Sequence, residues 1–400
     1  MLAPIRPVLP LMLSALFMVA AIGLGNLLVP LRAHAEGWSA SIIGIIGTTY
    51  ALSFTIGCVF VPRIVKRFGP LRTFTVLLVL LGVSIVLIGS FVDPVSWAIF
   101  RGLTGLCAAG TYSIIEGWLN ERTANNDRGL VFSWYMMFCL FGLICGQYSL
   151  PLSSPLEPTL FLLGAVCFWL AILPVRISRI VPPALPSTVK IDFATVYRNS
   201  PAAVVGNVVS GILFGTWVSF AVLYLDVNGY SGSGIATMMM CGTIGGMVLQ
   251  FPIGRLSDKI DRRWVMAMIG GGGLVLSIAT AAWMPVAPSV LAVLYFCFGA
   301  TLHPSYGLNV SHANDHATAG THVSLSSTML VIYGLGTISG PFVAGFAIDA
   351  FGFRALFVWL GLGYLVYFLF PLWRMIKRAA PEKANDFGAV DINPAEAQQP

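Results

Sequence analysis

The chain has 400 residues, of which 57% are hydrophobic and only 10% are charged, and its formal net charge is +6. A mean hydropathy of +0.85 excludes a soluble globular domain, which needs far more charged surface. Apolar runs of about 20 residues recur along nearly the whole length, so the composition indicates a helical membrane protein with many spans.

Hydropathy and run length predict twelve membrane-spanning helices. Helices are the expected spanning structure because lipid offers no hydrogen-bond partner to exposed backbone groups. The expected fold class is therefore an all-α membrane protein with twelve transmembrane helices. Their predicted limits are 8–31, 40–61, 71–92, 95–119, 129–150, 158–176, 201–225, 232–253, 264–284, 287–310, 323–349 and 354–376.

The positive charge is distributed unevenly between the two sides of the predicted membrane protein. With the N-terminus inside, 19 of the 22 Lys and Arg residues fall in the even-numbered connections and the two tails. The other three are Arg32 and Arg354 on the outer side and Arg101 inside a span. Because basic loops stay in the cytoplasm, we expect a multi-pass inner (plasma) membrane protein with both termini cytoplasmic. The net charge then reflects topology and anionic lipid, and we expect no nucleic-acid partner.

The sequence indicates neither a metal nor an organic cofactor. All seven cysteines fall within predicted spans and none forms a C-x-x-C pair, as expected for small buried apolar residues. His312 and His316 have the spacing of a helical metal pair but no further ligand on the same face, so we expect solvated loop residues. The sequence shows no nucleotide-binding loop and no nucleophile–base pair, which argues against an enzyme.

An internal repeat divides the chain into two similar halves. The basic stretch Phe251 to Arg263, between the eighth and ninth spans, has a degraded copy from Pro62 to Arg72, 192 positions earlier. The same shift pairs Gly37 with Gly229, Ser39 with Ser231, Ser41 with Ser233 and Arg63 with Arg255. A gap-free match across a loop, a helix and a second loop indicates a duplicated membrane unit.

The repeat predicts the domain organisation. We expect two pseudo-symmetric six-helix bundles at 1–180 and 201–378, with a cytoplasmic linker at 181–200 between them. The linker region is rich in proline and basic residues, and a short surface helix is expected around 191–198. The tail at 379–400 has little apolar content, so we expect it to be disordered.

The fourth span carries an arginine and a glutamate on one face. Arg101, Tyr112 and Glu116 fall within about 60° of a helical projection, but the two charges are about 22 Å apart along the axis. Arg101 is expected either to bind an anionic group or steer a proton, or to bond backbone carbonyls as a packing residue. Glu116 is expected either to be the proton-coupling carboxylate or to pair with Arg122 or Arg128 at an inner gate.

Other polar and aromatic side chains in spans one, seven and ten are candidates for contacts with a polar solute. Their alternative role is to bridge helices or to satisfy backbone groups near Pro304, where a kink is expected. These candidates are Asn26, Asn207, Trp217, His303, Tyr306 and Asn309.

Several of these motifs resemble those of the major facilitator superfamily. Gly254-Arg-Leu-Ser-Asp258-Lys-Ile-Asp-Arg262-Arg263 is similar to the family's G-x-x-x-D-R-x-G-R-R loop, and Arg101-Gly-Leu-Thr-Gly105 to its fourth-helix R-x-x-x-G motif. Glu121-Arg122 followed by Arg128-Gly129 resembles the inner end of helix four. The gating residues implied by the resemblance, with topological charge as the alternative role, are Arg63, Arg67, Gly69, Glu121, Arg122, Arg128, Gly254, Arg255, Asp258 and Arg262. Gly254 is expected to let two helix ends approach closely.

A small-residue motif is similar to that of the family's helices five and eleven. Gly336 and Gly340, followed by Pro341, align with Gly142 and Gly146 at a shift of 194. We expect these five residues to be helix-packing positions.

The stretches Glu116-Gly-Trp-Leu-Asn and His312-Ala-Asn-Asp are similar to the YcaD-like group of bacterial transporters. The sequence departs from the family pattern at Lys66, where Asp is usual, and at Asp261, where Gly is usual. It also departs at Gln147, where antiporters of the family have proline, which argues against a drug antiporter.

The resemblance implies two six-helix halves around a central cavity, lined mainly by helices one, four, seven and ten. The expected function is secondary active transport of a small organic solute by alternating access, coupled to protons and without another cofactor. The expected partners are the solute and the lipid bilayer, and we expect a monomer. A non-transporting scaffold or receptor and a membrane-embedded enzyme are the alternatives.

Overall fold

The computed structural model describes residues 5–124, 127–178, 191–317 and 322–377. These ranges contain twelve helical segments long and apolar enough to cross a membrane, which confirms the predicted all-α fold class. The helices are α1 (Leu9–Ala35), α2 (Ala40–Phe68), α3 (Pro70–Ser90), α4 (Pro94–Arg122), α5 (Arg128–Tyr148), α6 (Thr159–Leu170), α7 (Ile172–Ser178), α8 (Phe193–Asn199), α9 (Pro201–Val227), α10 (Gly232–Lys259), α11 (Arg262–Trp283), α12 (Pro288–Asn314), α13 (His322–Phe351) and α14 (Arg354–Lys377).

The fourteen helices in the described ranges give twelve spans, because two helices share one span and one short helix is not a membrane span. Helices α6 and α7 together form the sixth span, so α9 to α14 are spans seven to twelve. Helix α8 is the short linker helix expected around 191–198, and the Asp192 carboxylate caps it by accepting a hydrogen bond from the Thr195 backbone N–H at 3.0 Å. The predictions for 181–190 and for the tail at 379–400 fall outside the described residues.

The turns that precede α2 and α10 share the same local structure. Gly37 and Gly229 both have a φ of 78°, a conformation that a side chain with a Cβ rarely adopts. Two residues later, Ser39 and Ser231 cap the helices, and each Oγ accepts a backbone hydrogen bond at 3.4 Å. The 192-residue repeat is therefore present in the backbone conformation as well as in the amino-acid sequence.

Small residues bring paired helices into close contact in both halves. A Cβ at Gly142 or Gly146 would overlap the backbone of α1, and a Cβ at Gly336 or Gly340 would overlap the backbone of α9. In lipid, helices associate largely through such close packing, because there is no hydrophobic driving force between them. Helices α5 and α13, which are equivalent in the repeat, thus pack against α1 and α9 in the same way.

The helices form two packed groups, α1–α7 and α9–α14, which meet mainly along three lines of contact. Helix α2 meets α13, α1 meets α9, and α5 meets α10. His34 at the end of α1 and Asp226 at the end of α9 are 2.7 Å apart between Nδ1 and Oδ2. Since these positions are themselves 192 apart, the pair lies on the pseudo-twofold axis. We call this end of the molecule the His34 end.

The opposite end, which we call the Arg262 end, carries an ionic network in the second group. Arg262 approaches Asp258 at 3.1 Å and Asp315 at 2.6 Å, which ties together the ends of α10, α11 and α12. Asp261 holds Arg263 at 2.7 Å. Burial alone would raise the pKa of the Asp261 carboxyl, but the hydrogen bonds and charge of Arg263 lower it.

Gly254 and His312 differ from their predicted roles. A Cβ at Gly254 would meet no atom within 4 Å, so the expected close approach of two helix ends there was wrong. The reason is that α10 continues past the predicted end at 253 to Lys259, which leaves Gly254 on an open face of a helix. His312, expected in a solvated loop, lies inside the last turn of α12 and is only 4% exposed.

Candidate functional site

A cavity of about 420 Å³ lies between the two groups of helices and is open to the outside of the protein. Helices α1, α2, α4, α5, α9 and α13 contribute its wall. Helix α12, the tenth span, was expected in the wall, but α2 and α13 lie there instead. The lining residues are Val19, Ile22, Asn26, Gly47, Tyr50, Ala51, Phe54, Thr55, Cys58, Arg101, Tyr112, Leu143, Phe214, Gly215, Val218, Ser219, Leu330, Val331, Tyr333, Gly334, Thr337 and Pro341.

The cavity is sealed on one side by hydrogen bonds between the two groups of helices. The bonds that described residues of one group make directly to described residues of the other lie at the His34 end or at the adjoining end of the cavity. They join His34 to Asp226, Ala40 and Ser41 to Asp349, Thr48 to Ile338, and Tyr148 to Thr237. We infer from the position of these bonds that the cavity opens toward the Arg262 end.

Arg101 is the one charged side chain among the lining residues. It is 8% exposed, and its guanidinium carbon lies 4.4 Å from the centre of the Tyr50 ring. Together with Asn26 and Ser219 it also lines a narrow extension of the cavity toward the His34 end. The positive charge thus sits at the sealed end of the cavity, with hydroxyl and amide groups beside it.

Three of the predicted solute-contacting residues line the cavity together. They are Asn26 on α1 and Arg101 and Tyr112 on α4. The Tyr112 ring lies 6.4 Å from the ring of Phe54, which comes from α2. The face of span four that the sequence singled out is therefore a face of the cavity.

Glu116 lies beyond the lining residues, on the side of the Arg262 end. Its Oε1 accepts a hydrogen bond from the Tyr135 hydroxyl at 3.3 Å, and its side chain is exposed. The carboxylate is close enough to Tyr306 of α12 to interact with it electrostatically, so Glu116 lies near the gap between the groups of helices. It forms no ion pair with the described side chains. The side chain of Arg128, its other expected partner, lies outside the described residues.

Three other candidates lie between helices instead of in the cavity. Asn207 donates a hydrogen bond to a backbone carbonyl of α13 at 2.5 Å. Asn309 donates to a serine of α9 and accepts from a tyrosine of α14, both at 2.9 Å. The Trp217 ring packs on two aromatic rings of α12 at 4.8 and 4.9 Å. In lipid such bonds between helices can satisfy polar side chains, as at Asn309, while the Asn207 Oδ1 is buried without a hydrogen-bond partner. A polar side chain in a span therefore does not by itself indicate the cavity surface.

His303 and Tyr306 lie next to the cavity wall without being part of it. The Nδ1 atom of His303 is 3.0 Å from the carbonyl of Gly299, one turn earlier in α12. The Tyr306 ring stands 4.9 Å from the ring of Tyr333, which does line the cavity.

The structure also shows an aromatic wall that the sequence did not reveal. Tyr50 and Phe54 of α2 line the cavity together with Phe214 of α9 and Tyr333 of α13. An aromatic residue in a span can face lipid, the protein core or a cavity, and composition does not distinguish these three positions. The available signal was the run of glycine and threonine residues before Tyr50 on span two.

Three of the arginines predicted for gating form cation–π contacts with aromatic rings, and these contacts occur in both repeats. Arg63 lies 5.0 Å from the ring of Phe60, and the repeat-equivalent Arg255 lies 4.1 Å from the ring of Phe251. Arg67 lies 5.4 Å from the ring of the next residue. Gly69 joins α2 to α3 with a φ of 82°. Glu121 and Arg122 end α4, and both have interaction partners.

The family model described as Major Facilitator Superfamily matches residues 11–329 and 202–397. The uncharacterized MFS-type transporter YcaD of Escherichia fergusonii is 26% identical over 391 residues, which cover 96% of this chain and 99% of that protein. An uncharacterized MFS-type transporter of Enterobacter sp. is 26% identical over 380 residues, which cover 94% and 98%. These matches agree with the group resemblance found in the sequence.

Two solved structures have the same fold at low sequence identity. The nucleoside transporter NupG has a TM-score of 0.81 at 12% identity and covers 93% of this chain and 99% of its own. A bacterial homolog of the human lysosomal transporter Spinster, in an inward-facing and unoccupied conformation, has a TM-score of 0.69 at 15% identity and covers 93% and 94%. At such identities the likeness concerns the fold alone.

Proposed function

The chain belongs to the Major Facilitator Superfamily of membrane transporters, and from this we propose that it is a secondary active transporter of a small organic solute. The observation that carries the proposal is the cavity between the two groups of helices, sealed at the His34 end and open toward the Arg262 end. Rocking of the groups would seal the Arg262 end and open the other, which is alternating access. Family membership points to a transporter and away from an enzyme.

The charge distribution supports an orientation for this transporter. The Arg262 end carries the basic connections. We therefore place this end, together with both termini, on the cytoplasmic side of the inner (plasma) membrane. In this orientation the cavity described above is open to the cytoplasm.

Two-sided access to the cavity tests the proposal directly. Asn26 is replaced by cysteine in a protein without its seven native cysteines, and an impermeant maleimide is added to right-side-out or inside-out vesicles. We expect labelling from both sides, because each state exposes Asn26 to a different side. A scaffold or receptor with one fixed conformation would be labelled from a single side, and that result would remove the transport proposal.

We further propose that Glu116 couples transport to protons. Support comes from its place in the gap between the groups, where it has a tyrosine hydroxyl for a partner and no basic side chain among the described residues. Glu116→Gln should abolish pH-driven solute movement in vesicles while the protein folds and its cavity remains accessible. Glu157→Gln, an exposed carboxylate in the connection before α6, is the matched control and should behave as the wild type. Unchanged coupling in Glu116→Gln would exclude the proton role.

A further inference from the structure

The guanidinium of Arg101 lacks a counter-charge within the described residues. It takes part in no ion pair and no hydrogen bond there, and its Nε is buried without a partner. Its guanidinium carbon lies 4.4 Å from the centre of the Tyr50 ring, a contact that brings no negative charge. Arginine stays protonated at any physiological pH, so this is a permanent positive charge at the sealed end of the cavity.

Another buried arginine in the same chain shows what a structural role requires. Arg263 is 5% exposed, nearly as buried as Arg101 at 8%. Its Nη2 and Nε bind the two carboxylate oxygens of Asp261 at 2.7 and 3.1 Å, and Nη1 approaches a backbone carbonyl of α14 at 3.4 Å. A buried charge without such partners is strongly unfavourable. Arg101 is therefore held in a destabilised position, as is typical of a group whose partner arrives with a ligand.

The remaining lining residues restrict what this ligand can be. The rest of the wall is uncharged and largely apolar, with aromatic side chains from four helices, so a small inorganic anion would leave it unfilled. Asn26 and Ser219, beside Arg101, can donate hydrogen bonds to the same anionic group. A second negative charge on the ligand would have no positively charged side chain among the lining residues to pair with.

We propose that the solute is an amphipathic organic monoanion, bound with its carboxylate on Arg101 at the sealed end and its aromatic or aliphatic body against Tyr50, Phe54 and Tyr333. This inference rests on the proposed transport function and adds the chemical class of the solute. A bidentate carboxylate supplies the planar pair of acceptors that a guanidinium requires.

Matched sets of probes test the charge requirement in the unmodified protein. Purified full-length chain in nanodiscs is heated with 3-phenylpropionate, 3-phenylpropanol or 3-phenylpropylamine, and with the 2-naphthyl acid, alcohol and amine. Octanoate, octanol and octylamine form the aliphatic set. In at least one set we expect the acid to raise the unfolding midpoint by about 2 °C at tenfold its dissociation constant, and the alcohol and amine to raise it less. If no acid binds, or if an alcohol or amine binds better than its acid, the proposal is overturned.

Variants at Arg101 separate a binding role from a packing role. In Arg101→Met the preference for the acid should disappear, and Arg101→Lys should keep part of it as a point charge. Without ligand, Arg101→Met should melt at or above the wild-type midpoint, because an unpaired buried charge has been removed. Arg374→Met, which removes a cation from the face of Trp373 outside the cavity, is the matched control and should retain the preference. A lower midpoint together with unchanged acid binding in Arg101→Met would assign Arg101 to packing.

The outcome is distinguishable from failure of transport itself. If Asn26→Cys is labelled from both sides while none of the acids binds, transport stands and the solute class is wrong. If labelling is restricted to one side, the transport function fails whatever the probes show.

Discussion

Two of the contacts between the groups of helices should be alike by the repeat, yet they differ. We call the contact of α2 with α13 the α2–α13 seam. The contact of α10 with α5 and with the short 3-10 turn Leu150–Leu152 that follows α5 is the α5–α10 seam. In the α2–α13 seam, a Cβ at Gly44 or Gly345 would overlap a backbone carbonyl of the other helix. In the α5–α10 seam, a Cβ at Gly232 would stand at an ordinary 3.5 Å from Pro151, and the seam's hydrogen bond joins two exposed hydroxyls, of Tyr148 and Thr237.

The sequence explains this difference through the repeat shifts. At a shift of 192, the glycines at positions 44 and 47 and Thr48 on α2 correspond to Ala236, Met239 and Met240 on α10. Larger side chains there keep the two backbones apart. The comparison indicates that closure of the His34 end depends mainly on the α2–α13 seam, while the α5–α10 seam adds little. The rate at which Asn26→Cys is labelled from the His34 side measures this inequality.

The largest effect is expected for an added methyl group in the α2–α13 seam. Gly44→Ala and Gly345→Ala would each place a Cβ against a backbone carbonyl, and overpacking of this kind costs about 1–3 kcal/mol. The ratio of open to closed molecules at the His34 end should rise roughly 5- to 150-fold. Gly232→Ala, the control in the other seam, should leave the labelling rate unchanged. Equal effects of Gly232→Ala and Gly345→Ala would contradict the inequality of the seams.

A smaller effect is expected for Asp349, whose carboxylate caps a helix of the opposite group. Its two oxygens accept hydrogen bonds from the backbone N–H groups of Ala40 and Ser41 at 2.8 and 3.0 Å. Asp349→Asn should raise labelling by about fivefold, since a helix cap of this kind contributes about 1 kcal/mol.

The control for Asp349 caps a helix of its own group. The Asp93 carboxylate accepts hydrogen bonds from Val95 and Ser96 at the start of α4, and the bonds from Ser96 lower the pKa of that carboxyl. Asp93→Asn should therefore lower the unfolding midpoint without changing the labelling rate. A matching rise in labelling for Asp93→Asn would mean that the Asp349 effect reports general loosening.

The smallest effect is expected in the α5–α10 seam. Tyr148→Phe removes a hydrogen bond between two exposed hydroxyls 3.1 Å apart, and such a bond contributes about 0.5 kcal/mol, because water competes for both groups. Labelling should change by about twofold. A change as large as that of Asp349→Asn would show that this seam also holds the end closed.

Much of the fold followed from the sequence, because each span must be apolar along its length and the repeat fixes the pairing of the halves. The 192-residue shift in the sequence predicts duplicated turns at Gly37 and Gly229, and both turns are present with the same φ. Helix ends were less predictable, since a basic helix can continue into water beyond the lipid. Helix α10 does so as far as Lys259, and Gly254 was therefore misplaced.

The cavity was predictable where charge was involved and much less so elsewhere. A charged residue in a span must face a polar space or a partner, so Arg101 marked the cavity. Asn309 could satisfy its amide between helices equally well, and it does. Tyr333 lines the cavity because α13 is oriented with this face toward it. The composition of a span does not show which of its faces is turned to a cavity. Its prediction would have required the orientation of that helix relative to α2.

The most direct test of alternating access measures distances at both ends of the molecule in the same sample. Spin labels at Glu36 and Asn228 report the His34 end, and labels at Phe68 and Ile260 report the Arg262 end; each pair is related by the 192-residue shift. In the wild type we expect mainly short distances at the His34 end and long ones at the Arg262 end. In Gly345→Ala, the His34 end should lengthen and the Arg262 end should shorten in the same fraction of molecules. Lengthening at the His34 end with no shortening at the Arg262 end would contradict alternating access.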